Sequence, residues 1–202
     1  MTRPLMEWGV AKVTLGGQTT SGDSYLVKEF PGGLLIAALD GLGHGDDAAA
    51  AAQKATHILE AHTQESVIAL LKRCHEALRD SRGAVMSLVS VNGLDESMTW
   101  AGVGNVEGLL LRARPGTRRQ QESLLLRPGV LGIQLPAWQA SILPLAEGDT
   151  IILATDGIQP DFGREVKVNQ APQQIATRIL SQFAKGNDDA LVLVARYVGQ
   201  NP

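Results

Sequence analysis

Four short stretches of the chain place aspartates next to an apolar segment, where a strand is expected to begin or end. They are SGDSY with Asp23, LDGLGHG with Asp40 and Gly41, ATDG with Asp156, and NDDALVLV with Asp188 and Asp189. Carboxylates that meet in one cleft repel each other, so some stay protonated unless a cation lies among them. Oxygen ligands completed by water suit Mg²⁺ or Mn²⁺. Two such ions sharing a carboxylate can deprotonate a bridging water and neutralise a phosphoryl group under attack. The stretches thus predict a two-metal hydrolytic site if the fold brings them together.

The stretch from Leu34 to Ala52 reads as an apolar strand, a glycine-rich turn and an alanine-rich helix. Glycine takes bent backbone conformations at no steric cost, so this turn can come close to whatever Asp40 holds. A strand, a glycine loop and a helix also form the outline of a dinucleotide-binding fingerprint. Two features count against that alternative: Asp40 would face the pyrophosphate, and a second helix follows where a strand carrying a ribose-binding acid is required.

Strand patterns and helix patterns come in blocks along the chain. Two amphipathic helices follow Asp40, with apolar stripes that start at Ala48 and Val67, and a third helix begins at Pro172. The predicted strands are Trp8–Leu15, Tyr25–Phe30, Leu34–Leu39, Met86–Val91, Met98–Val103, Val106–Arg112, Glu122–Leu126, Trp138–Leu143, Thr150–Thr155 and Leu191–Val198. A polar loop is expected at Pro115–Arg119. This order excludes a doubly wound parallel sheet and favours two antiparallel sheets packed face to face, with helices outside.

The composition is that of one globular domain spanning residues 1–202, with 44% hydrophobic and 19% charged residues. The net charge of −3, with no basic run beyond Arg118-Arg119, argues against a nucleic-acid surface. Cys74 is the only cysteine, which excludes an internal disulfide and a cysteine-built zinc site. No segment has the length and apolarity of a membrane span or a leader, so we expect a cytoplasmic protein without membrane contacts.

In this order, the four motifs resemble those of the metal-dependent PP2C-type protein phosphatases, and more closely those of their bacterial SpoIIE-like branch. SGDSYLV, DGLGHG, ATDGI and DDALVLVAR look like the acidic motifs of that branch. AGVGNVEGLLL at Ala101–Leu111 and LRPGVLGIQLP at Leu126–Pro136 resemble its middle segments. The match covers nearly the whole chain. It implies an α+β fold, an αββα four-layer sandwich of two antiparallel sheets flanked by helices, without a large flap subdomain.

The resemblance also implies roles for the acidic residues around two Mn²⁺ or Mg²⁺ ions. Asp40 would bridge both ions, and the Gly41 carbonyl would bind one of them. Asp156 and one aspartate of the last motif would bind the other ion. Asp23 would act mainly through water. The resemblance therefore makes Asp40 and Asp156 the expected catalytic residues.

The last motif contains two adjacent aspartates, and the other motifs depart from the family pattern in two places. An alignment without a gap selects Asp188, whereas counting from Gly186 selects Asp189, and we favour Asp188. Eukaryotic members have a histidine straight after Asp-Gly, proposed as the general acid. Here that position is Leu42, and His44 has a different spacing, so the acid role is not transferred. The loop GGQTTSGD also has no counterpart of the family's phosphate-gripping arginine.

The resemblance implies a phosphoserine/phosphothreonine protein phosphatase that works as a monomer on phosphorylated stressosome components. These substrates would be RsbR- and RsbS-like STAS-domain proteins, and the reaction would give negative feedback on a stress response. The missing arginine and the missing flap motivate an alternative, a catalytically weak pseudophosphatase that binds a phosphoprotein. A third hypothesis, a hydrolase of a small phosphorylated metabolite, has no further residues in its favour.

Overall fold

The computed structural model describes residues 4–113, 120–135, 137 and 139–199, and within them the chain forms two β-sheets and three α-helices. The strands are β1 (Met6–Val13), β2 (Asp23–Phe30), β3 (Gly33–Gly41), β4 (Ala84–Asn92), β5 (Ser97–Val103), β6 (Glu107–Leu111), β7 (Gln121–Ser123), β8 (Leu126–Arg127), β9 (Ser141–Pro144), β10 (Thr150–Ala154) and β11 (Ala190–Tyr197). The helices are α1 (Asp46–Ala61), α2 (Val67–Leu78) and α3 (Pro172–Phe183), and a 3₁₀ turn covers Phe162–Glu165. No helix in the described part of the chain has the length and apolarity needed to cross a membrane.

The two sheets pack face to face, and helices cover their outer faces. The first sheet has the strand order β1-β11-β10-β6-β7; the second has the order β2-β3-β4-β5-β8, and β9 also pairs with β5. The strand pairs are antiparallel, except that Gly102-Val103 pairs in parallel with Leu126-Arg127. Helix α3 packs on the first sheet, and α1 and α2 pack on the second. The predicted αββα sandwich is therefore confirmed.

Strand β3 lies inside the second sheet, and its side chains alternate between two apolar cores. Those facing the first sheet are Leu34, Ile36 and Ala38, and those facing the helices are Leu35, Ala37 and Leu39. Burying a leucine or isoleucine side chain contributes about 1.5–3 kcal/mol. Burial on both faces explains the continuous apolar run in the sequence, and it fixes the position of Asp40 at the end of the strand.

The segment Glu122–Leu126, predicted as one strand, is divided between the two sheets. Strand β7 pairs with β6 in the first sheet, whereas β8 pairs with β5 in the second. Between them, the Leu124 N–H donates to the Gly108 carbonyl at 2.8 Å, and the Leu124 side chain lies in the core between the sheets. The chain thus crosses from one sheet to the other within a run of three leucines. An apolar run carries no signal for such a change of partner.

The segment between Asp156 and α3 is short and packed. Its 3₁₀ turn places Phe162, which is buried, in the core beneath α3. These residues form no large flap, as predicted. Trp138, where a strand was predicted to begin, and the predicted loop Pro115–Arg119 lie outside the described residues.

Candidate active site

The four acidic stretches meet at one end of the sandwich, where both sheets contribute strand ends. Asp23 opens β2 and lies directly across from Asp40 of β3 in the antiparallel register. Asp156 follows β10 and Asp189 precedes β11, and these two strands are neighbours in the first sheet. The Thr155 hydroxyl, next to Asp156, donates to Asp23 Oδ2 at 2.7 Å. The acidic stretches of the first sheet are therefore in contact with those of the second sheet.

Asp40, Asp156 and Asp188 line one open cleft of about 610 Å³. Three loops form most of its wall, namely Leu42 to His44, Gly104-Asn105, and Pro128 to Val130, and the remaining lining residues are Leu15, Val85 and Asn187. Asp23 and Asp189 are buried behind this surface, with about 4% of each residue exposed. The structure therefore brings all five predicted aspartates together, three at the cleft surface and two beneath it.

Asp40 carries a carboxylate that is electrostatically uncompensated. Its side chain accepts no hydrogen bond from any described residue. Burial, and then repulsion by Asp23, Asp156, Asp188 and Asp189, raises the pKa of Asp40 to about 8. A carboxylate that is partly buried among other carboxylates is stabilised in its charged form only if a cation is bound beside it.

Asp23 is supported from behind by the first sheet. Burial raises its pKa to about 7, the hydrogen bond from Thr155 lowers it, and repulsion by neighbouring aspartates raises it further. The same Thr155 hydroxyl accepts from the Leu191 N–H at 2.8 Å. Thr155 therefore fixes the Asp23 carboxyl relative to β11, one residue before Asp156.

Asp156 has polar partners at the cleft rim. Asn105 Nδ2 donates to Asp156 Oδ2 at 2.8 Å, and Lys185 Nζ donates to the Asp156 carbonyl oxygen at 2.6 Å. Burial and repulsion by Asp188 raise the pKa of Asp156, while Lys185 and Asn105 oppose that rise. Neither Thr155 nor Asn105 was predicted as a site residue, although both lie in motifs quoted above, ATDGI and AGVGNVEGLLL. Membership of these motifs was the only signal in the sequence, because a threonine or an asparagine at the end of a strand does not by itself indicate a site.

The two aspartates of the last motif have different surroundings. Asp189 Oδ1 accepts from the Leu15 N–H and Oδ2 from the Gly22 N–H, both at 2.7 Å. Both carboxylate oxygens of Asp189 thus accept hydrogen bonds from the segment that precedes β2 and hold its backbone in place. Asp188 is exposed, lines the cleft, and its Oδ1 accepts only from the adjacent Asp189 N–H at 2.9 Å. These contacts favour Asp188 as the residue available to a ligand in the cleft.

We expect alanine substitutions to separate these two aspartates. Asp189→Ala leaves the buried Gly22 N–H and the partly buried Leu15 N–H without acceptors, which should cost about 2–4 kcal/mol of unfolding free energy. Asp188→Ala should leave the metal-free melting temperature within about 2 °C of wild type, as exposed substitutions do, and should weaken Mn²⁺ binding at least about tenfold. Thermal denaturation and Mn²⁺ calorimetry measure both quantities. The reverse pattern, with Asp188→Ala unfolding the protein and Asp189→Ala sparing it, would make Asp189 the ligand.

Glycines after Asp40 and Asp156 permit close backbone approaches at the site. A Cβ on Gly41 would lie 2.0 Å from the Ala48 carbonyl oxygen of α1, and a Cβ on Gly157 would lie 1.9 Å from the Asp189 carbonyl oxygen. Neither distance is sterically possible. Glycine is therefore required after both aspartates for the same reason. At Gly41 the chain packs directly against the backbone of Ala48, and at Gly157 it packs against the backbone of Asp189.

The cleft wall at Pro128 to Val130 is tethered to α2 and β4. Leu131 exchanges two backbone hydrogen bonds with Ala84, and the Gly132 N–H donates to His75 Nδ1 of α2 at 3.0 Å. His75 is buried in the last turn of α2, and its ring makes this loop contact from there. Helix α2 thereby helps to define the width of the cleft.

The described residues contain no compact group of three or more His, Cys, Asp and Glu side chains of the kind that alone encloses a metal ion. The donor set nevertheless suits hard cations, because the cleft presents carboxylates whose charges lack a counter-ion. Mg²⁺ in particular is often held by one or two carboxylates and several waters. The residues present therefore fit divalent cations bound through a few carboxylates.

Comparison with known proteins gives a family and close structural relatives. The family model of stage II sporulation protein E (SpoIIE) matches residues 31–198. The phosphoserine phosphatase RsbX of Bacillus subtilis (strain 168) is 26% identical over 183 residues, which is 89% of either chain. RsbX is a small phosphatase of the kind that the motifs resemble, so the resemblance is confirmed.

Two solved structures share the fold along almost their whole length. One, from work on the bacterial stressosome as a modular system adapted to control secondary messenger signalling, has 29% identity and a TM-score of 0.86, covering 95% of this chain and 99% of its own. The other, RsbX in complex with magnesium, has 23% identity and a TM-score of 0.85, covering 98% of each chain. The chain belongs to the SpoIIE family of PP2C-type, metal-dependent protein phosphatases.

Proposed function

We propose that this protein hydrolyses phosphoserine or phosphothreonine on stressosome proteins of the RsbR- and RsbS-like STAS-domain class, and so gives negative feedback on a stress response. The observation that carries the chemistry is the Asp40 carboxylate, which lies in the cleft without a hydrogen-bond donor and among four other aspartates. The substrate class is supported by the similarity to RsbX and to a structure from the stressosome study.

In the proposed mechanism, residues of the cleft would hold two Mn²⁺ or Mg²⁺ ions. Asp40 would serve both ions, the Gly41 carbonyl would support one of them, and Asp156 with Asp188 would support the other. Bound there, divalent cations supply a hydroxide nucleophile from water at neutral pH and neutralise charge on the phosphoryl oxygens. Asp23, held by Thr155, acts on this centre through water.

The chain's own residues set the geometry of attack. Asn105 orients the Asp156 carboxylate, and Lys185 holds the Asp156 main chain from outside the cleft. Asp189 fixes the backbone at Gly22, next to Asp23. Because these contacts keep the carboxylates in place before substrate arrives, little reorganisation is needed at the moment of reaction.

The test of this proposal is phosphate release from a serine-phosphorylated RsbS-like STAS-domain protein, with Mn²⁺ and with chelator. We expect release with Mn²⁺ and none with chelator. A phosphothreonine form of the same protein and a generic phosphoserine peptide serve as comparison substrates. Equal rates on the folded protein and the generic peptide would contradict recognition of the STAS domain, and an absence of release from all of them would contradict the enzymatic proposal.

The pseudophosphatase alternative is favoured by one observation: no described residue that lines the cleft is a lysine or an arginine. Such a cleft has little of its own to grip a phosphate, so a partner protein would have to supply the binding surface. Under this alternative the protein binds the phosphorylated STAS-domain protein and releases no phosphate. Rapid hydrolysis of a small phosphorylated metabolite, with phosphoproteins untouched, would instead favour the metabolite hydrolase.

A further inference from the structure

We propose that His44 donates the proton to the serine or threonine oxygen that leaves when the phosphate ester is cleaved. This inference rests on the proposed phosphatase function and deepens it. An alkoxide is a poor leaving group, so cleavage of a serine phosphate benefits from a proton donor placed in the cleft. The residue after Asp-Gly, Leu42, has no proton to give.

His44 is held in the cleft wall by the glycine loop. Gly43 and Gly45 on either side have φ values of +89° and +77°, a left-handed conformation that suits glycine. This double bend places His44 on the cleft surface together with Asp40, Asp156 and Asp188. The loop is also anchored to the strand below, since the Leu42 N–H donates to the Gly83 carbonyl at 3.0 Å.

The other described side chains that line the cleft cannot readily take this role. Asp40, Asp156 and Asp188 are the carboxylates proposed to hold the ions and must be ionised to do so. The amides of Asn105 and Asn187 are far too weakly acidic to give a proton to a leaving group. His44 remains, and histidine is the side chain whose ordinary titration lies nearest to neutral pH.

The contact with Gln18 distinguishes the two ring nitrogens of His44. Gln18 Nε2 lies 3.5 Å from His44 Nδ1, and the histidine is otherwise exposed. With Nδ1 beside the Gln18 amide, Nε2 is the nitrogen free to meet a substrate. The proton donor is the imidazolium form, in which both ring nitrogens carry protons and Nδ1–H donates to the oxygen of the Gln18 amide after the amide group has turned over. Transfer of the Nε2 proton then leaves a neutral ring.

In the proposed cleavage of the phosphate ester, the oxygen of the attacking hydroxide forms a bond to phosphorus, and the bond between phosphorus and the serine oxygen breaks. The electron pair of the broken bond goes to the serine oxygen, which takes the proton from His44 Nε2. Water then returns a proton to His44 for the next cycle.

The experiment compares leaving groups in wild type and in His44→Gln. On a serine-phosphorylated protein, where the leaving alkoxide needs a proton, we expect kcat to fall about 10²-fold or more. On p-nitrophenyl phosphate, whose phenolate leaves without protonation, we expect a fall of less than about threefold. His57→Gln, a substitution of an exposed histidine on α1, is the matched control and should change neither rate.

Three further measurements separate a loss of the proton donor from a loss of metal binding or of folding. Mn²⁺ calorimetry and the melting temperature should match wild type in His44→Gln, and His44→Asn serves if the glutamine variant misfolds. The decline of kcat at high pH on phosphoserine should be present in wild type and lost in His44→Gln. Charged groups on the elements around the loop that could also titrate or perturb this profile are Asp40, Asp156, Asp188, Asp46, Asp47 and Arg82.

The outcomes separate the two proposals. Equal losses on both substrates, or an unchanged rate on phosphoserine, overturn the role of His44 while the phosphatase function stands. No hydrolysis of phosphoserine by wild type overturns the proposed function itself, and with it this inference. A retained high-pH decline in His44→Gln assigns the proton to another group and also overturns the inference.

Discussion

Replacement of Asp40 by asparagine is expected to abolish metal-dependent phosphatase activity and, at the same time, to stabilise the metal-free protein at pH 8. Activity should fall at least about 10³-fold, because a shared carboxylate contributes several kcal/mol through the ions it holds. Stability should rise because the wild-type carboxylate is half-buried without a hydrogen-bond donor and is repelled by its neighbours. Asparagine fills nearly the same volume and carries no charge.

Both effects are measured on the same samples. Phosphate release from the phosphorylated substrate with Mn²⁺ gives the activity, and thermal denaturation with chelator gives the stability. Asp95→Asn is the matched control, since Asp95 is exposed in the turn between β4 and β5, away from the cleft. Full Mn²⁺-dependent activity in Asp40→Asn would refute the mechanism, and a lower metal-free melting temperature would show that the carboxylate stabilises the fold.

The metal-free protein should lose stability as the pH rises from about 5 to about 9. Burial and repulsion between the carboxylates raise the folded-state pKa values of Asp40 and Asp23 to about 8 and about 7, from an ordinary aspartate value of 3.8. A raised pKa means that the folded state binds these protons more tightly than the unfolded chain does. The associated stability is fully present below the unfolded pKa and is lost as pH rises through the folded one. We expect a loss on the order of a few kcal/mol, or about 10 °C in melting temperature.

Divalent cations should reverse this trend, because they bind the ionised carboxylates. At saturating Mg²⁺, the increase in melting temperature should be larger at pH 8 than at pH 5.5, where protons compete with the metal. In Asp40→Asn, the pH dependence without metal should be shallower, and the response to Mg²⁺ should be small. A metal-free melting temperature that is constant between pH 5 and pH 9 would contradict the raised pKa values.

The sequence was sufficient to predict the layers and the aspartates because both leave strong local patterns. Leu34 to Leu39 is continuously apolar since β3 is buried on both faces, and the aspartates stand at strand ends where such runs stop. The sequence contains no comparable signal for the position of each strand within the two sheets. The crossing at Leu124, which moves the chain from one sheet to the other, lies within apolar residues that suit either side.

Within the site, the sequence left two aspartates as candidates for the last proposed ligand and did not supply the reason for choosing between them. That reason lies in contacts with Leu15 and Gly22, more than 160 positions away along the chain. The roles of Thr155 and of His75 depend on partners 132 and 57 positions away. Local patterns report what a residue is next to in the chain, whereas these roles depend on neighbours that only the completed fold supplies.

The two hydrogen bonds that the Asp189 carboxylate accepts have a consequence for the order of folding. Strand β11 inserts between β1 and β10, and Asp189 at its start then closes hydrogen bonds across 174 and 167 positions to Leu15 and Gly22. Contacts of such sequence separation form slowly, because their loop-closure entropy must be overcome first. During synthesis, β11 must leave the ribosome before it can enter the sheet between β1 and β10. A nascent chain that lacks β11 therefore has no assembled site, and the aspartates come together only when this strand is in place.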